Sequence, residues 1–128
     1  MPQIIAVSTR GQPLSLPTNA LADLDGLSIQ ILTGSGILLV SYSLHAINTL
    51  NSLNSADIQF TLDGVPLSKT WRSWLFIANG WFTLASAHLI QPGAGKHIIT
   101  LQGVAGAADI QISNITTEMI VHEPGFKP

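Results

Sequence analysis

Apolar and polar residues alternate with a period of two over several stretches of the chain. In DIQFTLDG, Ile58, Phe60 and Leu62 fall on one side while Asp57, Gln59, Thr61 and Asp63 fall on the other, the pattern of a β-strand with one solvated face. GLSIQIL sets Leu27, Ile29 and Ile31 against Ser28 and Gln30, and DIQIS repeats the pattern with Ile110 and Ile112. By the same logic these read as outer-sheet strands. Two longer stretches lack a wet face. GILLVSYSLHAI carries Ile37, Leu39 and Ile47 on one side and Leu38, Val40, Tyr42, Leu44 and Ala46 on the other, and WFTLASAHLI is apolar on both through Trp81, Phe82, Leu84, Leu89 and Ile90. An antiparallel strand of that kind needs a second layer over it. In a chain with one sandwich core, the simplest such layer is another subunit.

Turn signals punctuate these stretches: Asp25-Gly26, Gly34-Ser35-Gly36, Asn51 to Asn54, Asp63-Gly64, Asn79-Gly80, Pro92-Gly93, the glycine-rich GVAGAA at 103–108, and Asn114. The segments between them, roughly five to twelve residues rich in Ile, Val, Leu, Thr, Phe and Trp, predict an all-β, two-sheet antiparallel sandwich. No stretch shows a convincing 3.6-residue period. Residues 1–24, with Pro2, Pro13 and Pro17, read as an N-terminal arm and first edge segment. Residues 25–123 form the sandwich domain, and 124–128 a tail in which Pro124 ends the last strand.

Composition sharpens the case for assembly. Only 9% of the 128 residues are charged while 46% are hydrophobic, which excludes disorder and contrasts with about 25% charged in ordinary soluble domains. A lone globule of this mass would expose about 6,600 Å², a thin surface for twelve charges, five basic and seven acidic. The basic residues Arg10, Lys69, Arg72, Lys96 and Lys127 are scattered singly, which argues against nucleic acid. No cysteine is present, so stability rests on packing. The N-terminus lacks the basic and apolar regions of a signal peptide, and neither of the two long uncharged stretches, Gly26 to Ala56 and Ser73 to Gly95, holds the run of about twenty apolar residues that a membrane helix needs.

The order of segments carries a resemblance. LPTNALADLDGLSIQILTGSGILLVSYSLHA, DIQFTLDGVPL, WFTLASAHLIQPGAGKHIITLQ and a final TTEMIVHE resemble the tumour-necrosis-factor-like jelly roll, the superfamily that includes complement-type globular heads and small bacterial and phage proteins. The residues that carry it are Phe60, Leu62, Asp63 and Gly64; Ile90, Pro92, Gly93, His97, Ile99, Leu101 and Gln102; and Val121 and Glu123. The chain departs from the pattern at SKTWRSWLFIANGW and in an extra Gly between Pro92 and His97. The resemblance implies a ten-strand sandwich assembled as a homotrimer around the sheet that holds the first long strand and the last. Val40, Tyr42 and Leu44, with Met119 and Val121, are then the candidate interface. It also implies a setting: a phage virion or an extracellular surface, as a capsid decoration protein or small fibre or tip component on a larger scaffold.

Catalytic chemistry is not legible. His45, His88, His97 and His122 contain no H-x-H or H-x-x-x-H pair and read as structural or interface residues, so no metal and no cofactor is expected. No G-x-S-x-G occurs, and Asp25, Asp63, Asp57 and Asp109 open turns and strands. GVAGAA reads as a flexible loop without the lysine and helix of a phosphate site. Asn114-Ile115-Thr116 is a glycosylation sequon by pattern alone. Trp71, Arg72, Trp74 and Trp81 form the one concentrated group, suited to a protein partner or a sugar ring. Plugging the end of the sandwich is the plainer role for them. A structural module is the expected function, with a carbohydrate-binding lectin as the alternative.

Overall fold

The computed structural model describes residues 3–9, 14–33, 37–112 and 118–123, with backbone alone at 3–9, 25–26 and 118–123. Eleven strands run β1 (Gln3–Thr9), β2 (Leu14–Ser15), β3 (Ala22–Thr33), β4 (Leu38–Asn48), β5 (Asn54–Leu62), β6 (Val65–Pro66), β7 (Arg72–Phe76), β8 (Trp81–Ile90), β9 (Gly95–Ala105), β10 (Ile110–Ile112) and β11 (Glu118–Glu123), with a 3-10 turn at Ser68–Thr70. β4 is the axis of a six-stranded sheet. β8 pairs along one edge of it from Leu38 to Ile47, while β11 and β10 share the other, with β1 outside β11 and β2 outside β10. The second sheet has five strands in the order β3-β9-β5-β6, with β7 also paired to β5. Every pairing is antiparallel.

The alternation read in the sequence fixes which side chains meet between the sheets. Leu27, Ile29 and Ile31 from β3, Ile58 and Phe60 from β5, and Ile99 and Leu101 from β9 close on Leu38, Val40, Tyr42, Leu44 and Ala46 from β4. Tyr42 and Phe60 meet as tilted rings 5.7 Å apart, and Phe76 meets Phe82 edge-on at 5.1 Å. Each such large side chain contributes about 1.5–3 kcal/mol through burial. Asp63-Gly64 makes the turn into β6 with both residues at positive φ, 52° and 82°, the two-residue hairpin that Asp-Gly favours.

Several expectations are corrected. Within residues 1–24, read as an arm and first edge segment, Gln3–Thr9 is an edge strand on β11, Leu16 is buried in the core, and β3 runs from Ala22 through position 24, ahead of the boundary expected at 25. Proline removes a pairing N–H only at its own position, so Pro2, Pro13 and Pro17 leave QIIAVST free to pair. Asp25-Gly26 lies within β3, between Asp23 and Ser28 where the register shifts, so it makes a bulge and not a turn. Ile110–Ile112 belongs to the six-stranded sheet and does not join β3 and β5. Residues 103–105 of GVAGAA are strand, not loop. A β-carbon on Gly103 would stand 3.0 Å from Ile58 Cδ1 and 3.2 Å from Leu16 Cδ2, so the glycine lets those side chains close over β9.

The wet face of β5 is drier than alternation alone implies. Gln59 and Thr61 are buried because side chains on that face lie across their register partners. Gln59 Nε2 donates to Gln102 Oε1 (3.2 Å), Gln102 Nε2 donates to Asp23 Oδ1 (3.0 Å), and the Ser28 and Thr100 hydroxyls share a 2.9 Å bond. Gly34-Ser35-Gly36, the Asn114 sequon and the tail at 124–128 lie outside the described residues.

Candidate functional site

Two surfaces of the sandwich are chemically distinctive. The first is the outer side of the six-stranded sheet. From β4 it carries Leu39, Ser41, Ser43, His45 and Ile47, and from β8 Trp81, Thr83, Ala85, Ala87 and Leu89, placed by register and alternation. None of these ten side chains is an acid, a lysine or an arginine. Trp81 and Leu89 are more than half exposed, and Trp81 stacks on His45 with ring centres 4.8 Å apart and planes 13° from parallel.

The candidate interface residues of β4 are not on this surface. Val40, Tyr42 and Leu44 are 0%, 3% and 0% exposed within the single chain, because their parity directs them into the sandwich core. They therefore cannot meet a second subunit. The opposite parity of the same strand supplies the residues that can. Met119 and Val121 pair in register with Tyr42 and Val40; their side chains lie outside the described residues.

The second surface is the flank where the free edges of β7 and β8 approach each other. Trp74, placed opposite Ala56, packs against the core and donates Nε1–H to Tyr42 Oη at 3.3 Å. Tyr42 also hydrogen-bonds Ser86, whose Oγ lies 2.7 Å from His88 Nε2. Trp74, Tyr42, Ser86 and His88 thus form a chain of polar contacts inside the flank, roofed by Phe60 edge-on to the His88 ring at 6.2 Å. Burial raises the Tyr42 phenol above its ordinary range, against smaller opposing effects of Trp74, Arg72 and Ser86. Burial, then the Arg72 charge, lowers His88, so the imidazole is neutral at neutral pH. No carboxylate touches Ser86 or His88 among the described residues, so the pair lacks the orienting acid of a catalytic triad.

The tryptophans do not converge. Trp81 lies on the outer sheet face, Trp74 points into the core, and Trp71, 40% exposed, donates Nε1–H to Ser73 Oγ at 3.3 Å. Arg72 folds back on the chain, its guanidinium donating to the carbonyls of Trp71 (2.7 Å) and Lys69 (3.3 Å).

A third cluster, unseen in the sequence, is a clamp. His97 Nδ1 lies 2.7 Å from Asp63 Oδ2 and Nε2 lies 3.0 Å from the Gly93 carbonyl, while Ile98 N–H donates to Asp63 Oδ1 at 2.8 Å. With acceptors facing both ring nitrogens, the imidazolium donates twice. The Asp63 hydrogen bond accordingly raises His97, and the His97 hydrogen bond, followed by that from Ile98, lowers Asp63. Among the described residues no group of three His, Cys, Asp or Glu is arranged to hold a metal, and no helix is long and apolar enough to cross a membrane.

Two antiparallel sheets with this strand order make the chain a tumour-necrosis-factor-like and C1q-like jelly roll. It is similar to Eiger TNF from S. frugiperda, with a TM-score of 0.58, 12% identity, and 98% of this chain and 96% of that one covered. The globular domain of zebrafish complement 1qA covers all of both chains at a TM-score of 0.55 and 6% identity. A chain of infectious bursal disease virus, Gx strain, aligns at a TM-score of 0.60 and 14% identity over 99% of this chain, which spans 33% of the viral one. No family model matches the sequence, and no curated protein matches it. At these identities the likeness is one of fold.

Proposed function

We propose that the chain is a homotrimeric, non-enzymatic structural module, serving a phage virion as a capsid decoration protein or a small fibre or tip component on a larger scaffold. The observation that carries this reading is the outer side of the six-stranded sheet, where β4 and β8 present ten residues with no acid, lysine or arginine, among them the exposed Trp81 and Leu89. Depletion of charge with aromatic enrichment is the composition of a buried interface core. Ser41, Ser43, Ala85 and Ala87 keep the middle of that face flat enough for close approach. The number three follows the jelly-roll resemblance, and the virion setting is supported by the likeness to a viral chain.

Sedimentation equilibrium of the full chain tests the reading, with three copies expected and a single copy at micromolar concentration overturning it. The lectin reading rests on Trp71 and Trp81, which remain exposed. A glycan array distinguishes it, since the structural reading expects no sugar bound.

A further inference from the structure

We infer that the cleft between β8 and the segment from β6 through the 3-10 turn binds a small amphiphilic carboxylate, an alkyl chain ended by one carboxyl group. The cleft has a volume of about 440 Å³, within the roughly 300–1,000 Å³ of small-molecule sites. Leu62, Leu67, Leu89 and Ile90 give it apolar walls, and His88 and Lys69 stand in its lining. Its shape is set by the fold. Thr70 Oγ1 accepts the Phe60 N–H at 2.9 Å and donates to the Leu67 carbonyl at 2.7 Å. The 3-10 turn is thereby pinned to β5 at Phe60, between the residues that β7 and β6 pair with.

Charge selects the ligand. Lys69 and Arg72 are two of the three lysines and arginines among the described residues, and they sit three positions apart at this flank. Among the described residues no acid lines the cleft. The described acids nearest in sequence are engaged elsewhere: Asp57 accepts from Ser73, and Asp63 holds His97 and the Ile98 N–H. A cation beside an apolar hollow with no carboxylate of its own suits a ligand that brings one.

Calorimetric titration of the full chain with octanoate, octylamine and octanol tests this, beside sedimentation of the same samples, which reads assembly separately. Octanoate should bind more tightly than octanol, and octylamine least. Lys69→Glu, at an exposed turn, should weaken octanoate at least about tenfold, the weight of one charge-assisted contact. Lys96→Glu, on β9 and outside the cleft lining, should leave it unchanged. Octanol binding as well as octanoate, full octanoate affinity in Lys69→Glu, or no binding of octanoate would each overturn the inference.

Discussion

Two substitutions on opposite sides of one sheet separate folding from assembly. Leu44 points inward, is fully buried, and pairs in register with Leu84, itself 2% exposed. Leu44→Ala leaves a cavity against Leu84 and costs about 2–5 kcal/mol, a large share of the roughly 5–15 kcal/mol that holds a domain folded. The thermal midpoint should fall by about 10 °C or more, to the same extent at every protein concentration. Ala85 pairs with Ser43 on the other side of the sheet and is exposed. Ala85→Arg leaves its charge in water in a lone chain, so folding should change by no more than about 0.5 kcal/mol. Where copies pack on that face, each would bury an unpaired guanidinium at about 3–5 kcal/mol, which weakens association by roughly a hundredfold to several thousandfold. Sedimentation velocity over a concentration series, beside thermal melts, reads both effects. An Ala85→Arg protein that sediments like the unmodified chain refutes the assignment of the face. A Leu44→Ala protein that dissociates without melting earlier refutes the assignment of the core.

The Asp63–His97 clamp sets a pH window. His97 is raised above its ordinary 6.5 in the fold, so its contribution is complete below that pH and fades as pH rises through the raised value; Asp63 is lowered, so its contribution is complete above 3.8 and fades as pH falls through the lowered value. The difference in melting temperature between the unmodified chain and His97→Gln should therefore be largest between those two pH values and shrink in alkali; a constant difference would rule the clamp out. Asn54→Ala removes the contacts of a buried amide with Ala107 N and the carbonyls of Ala107 and Ala108, and should cost about 1–3 kcal/mol in urea unfolding. Tyr42→Phe strands Trp74 Nε1, and should cost about as much while altering the near-ultraviolet signal of Trp74. An unchanged spectrum would mean that the Tyr42–Trp74 bond does not form.

The period-two pattern was enough to find β3, β4, β5 and β8 and to sort their residues onto two faces. It did not say which face of β4 turns inward, because both are apolar enough to be covered. Side-chain chemistry decides that: the inward face is Leu38, Val40, Tyr42, Leu44 and Ala46, while the outward one interposes Ser41, Ser43 and His45, which a core without partners for them would reject. Reading the larger apolar face as the interface therefore inverted the sheet. The glycines of GVAGAA misled for a related reason. Composition marks a loop, but Gly103 serves a strand by leaving room for Leu16 and Ile58, and that crowding arises only when β9 lies beside β5 and the segment before β3.

The tryptophan cluster shows the remaining limit. Closeness in sequence suggested one site, yet Trp74 faces the core beside Ala56 and Tyr42, Trp71 precedes the strand at the end of a 3-10 turn, and Asn79-Gly80 carries the chain across to the other sheet before Trp81. Three orientations follow from two changes of backbone course within eleven residues. Ser86 and His88, by contrast, are two apart on one strand and must share a face. The pair was available from parity alone, and only the absence of a carboxylate nearby in sequence kept it from notice. What parity could not supply is Tyr42 as the third member, since β4 and β8 must first pair with Tyr42 opposite Ser86. That register joins the core tyrosine to the flank, and it makes the polar chain a property of the folded sheet and not of any one segment.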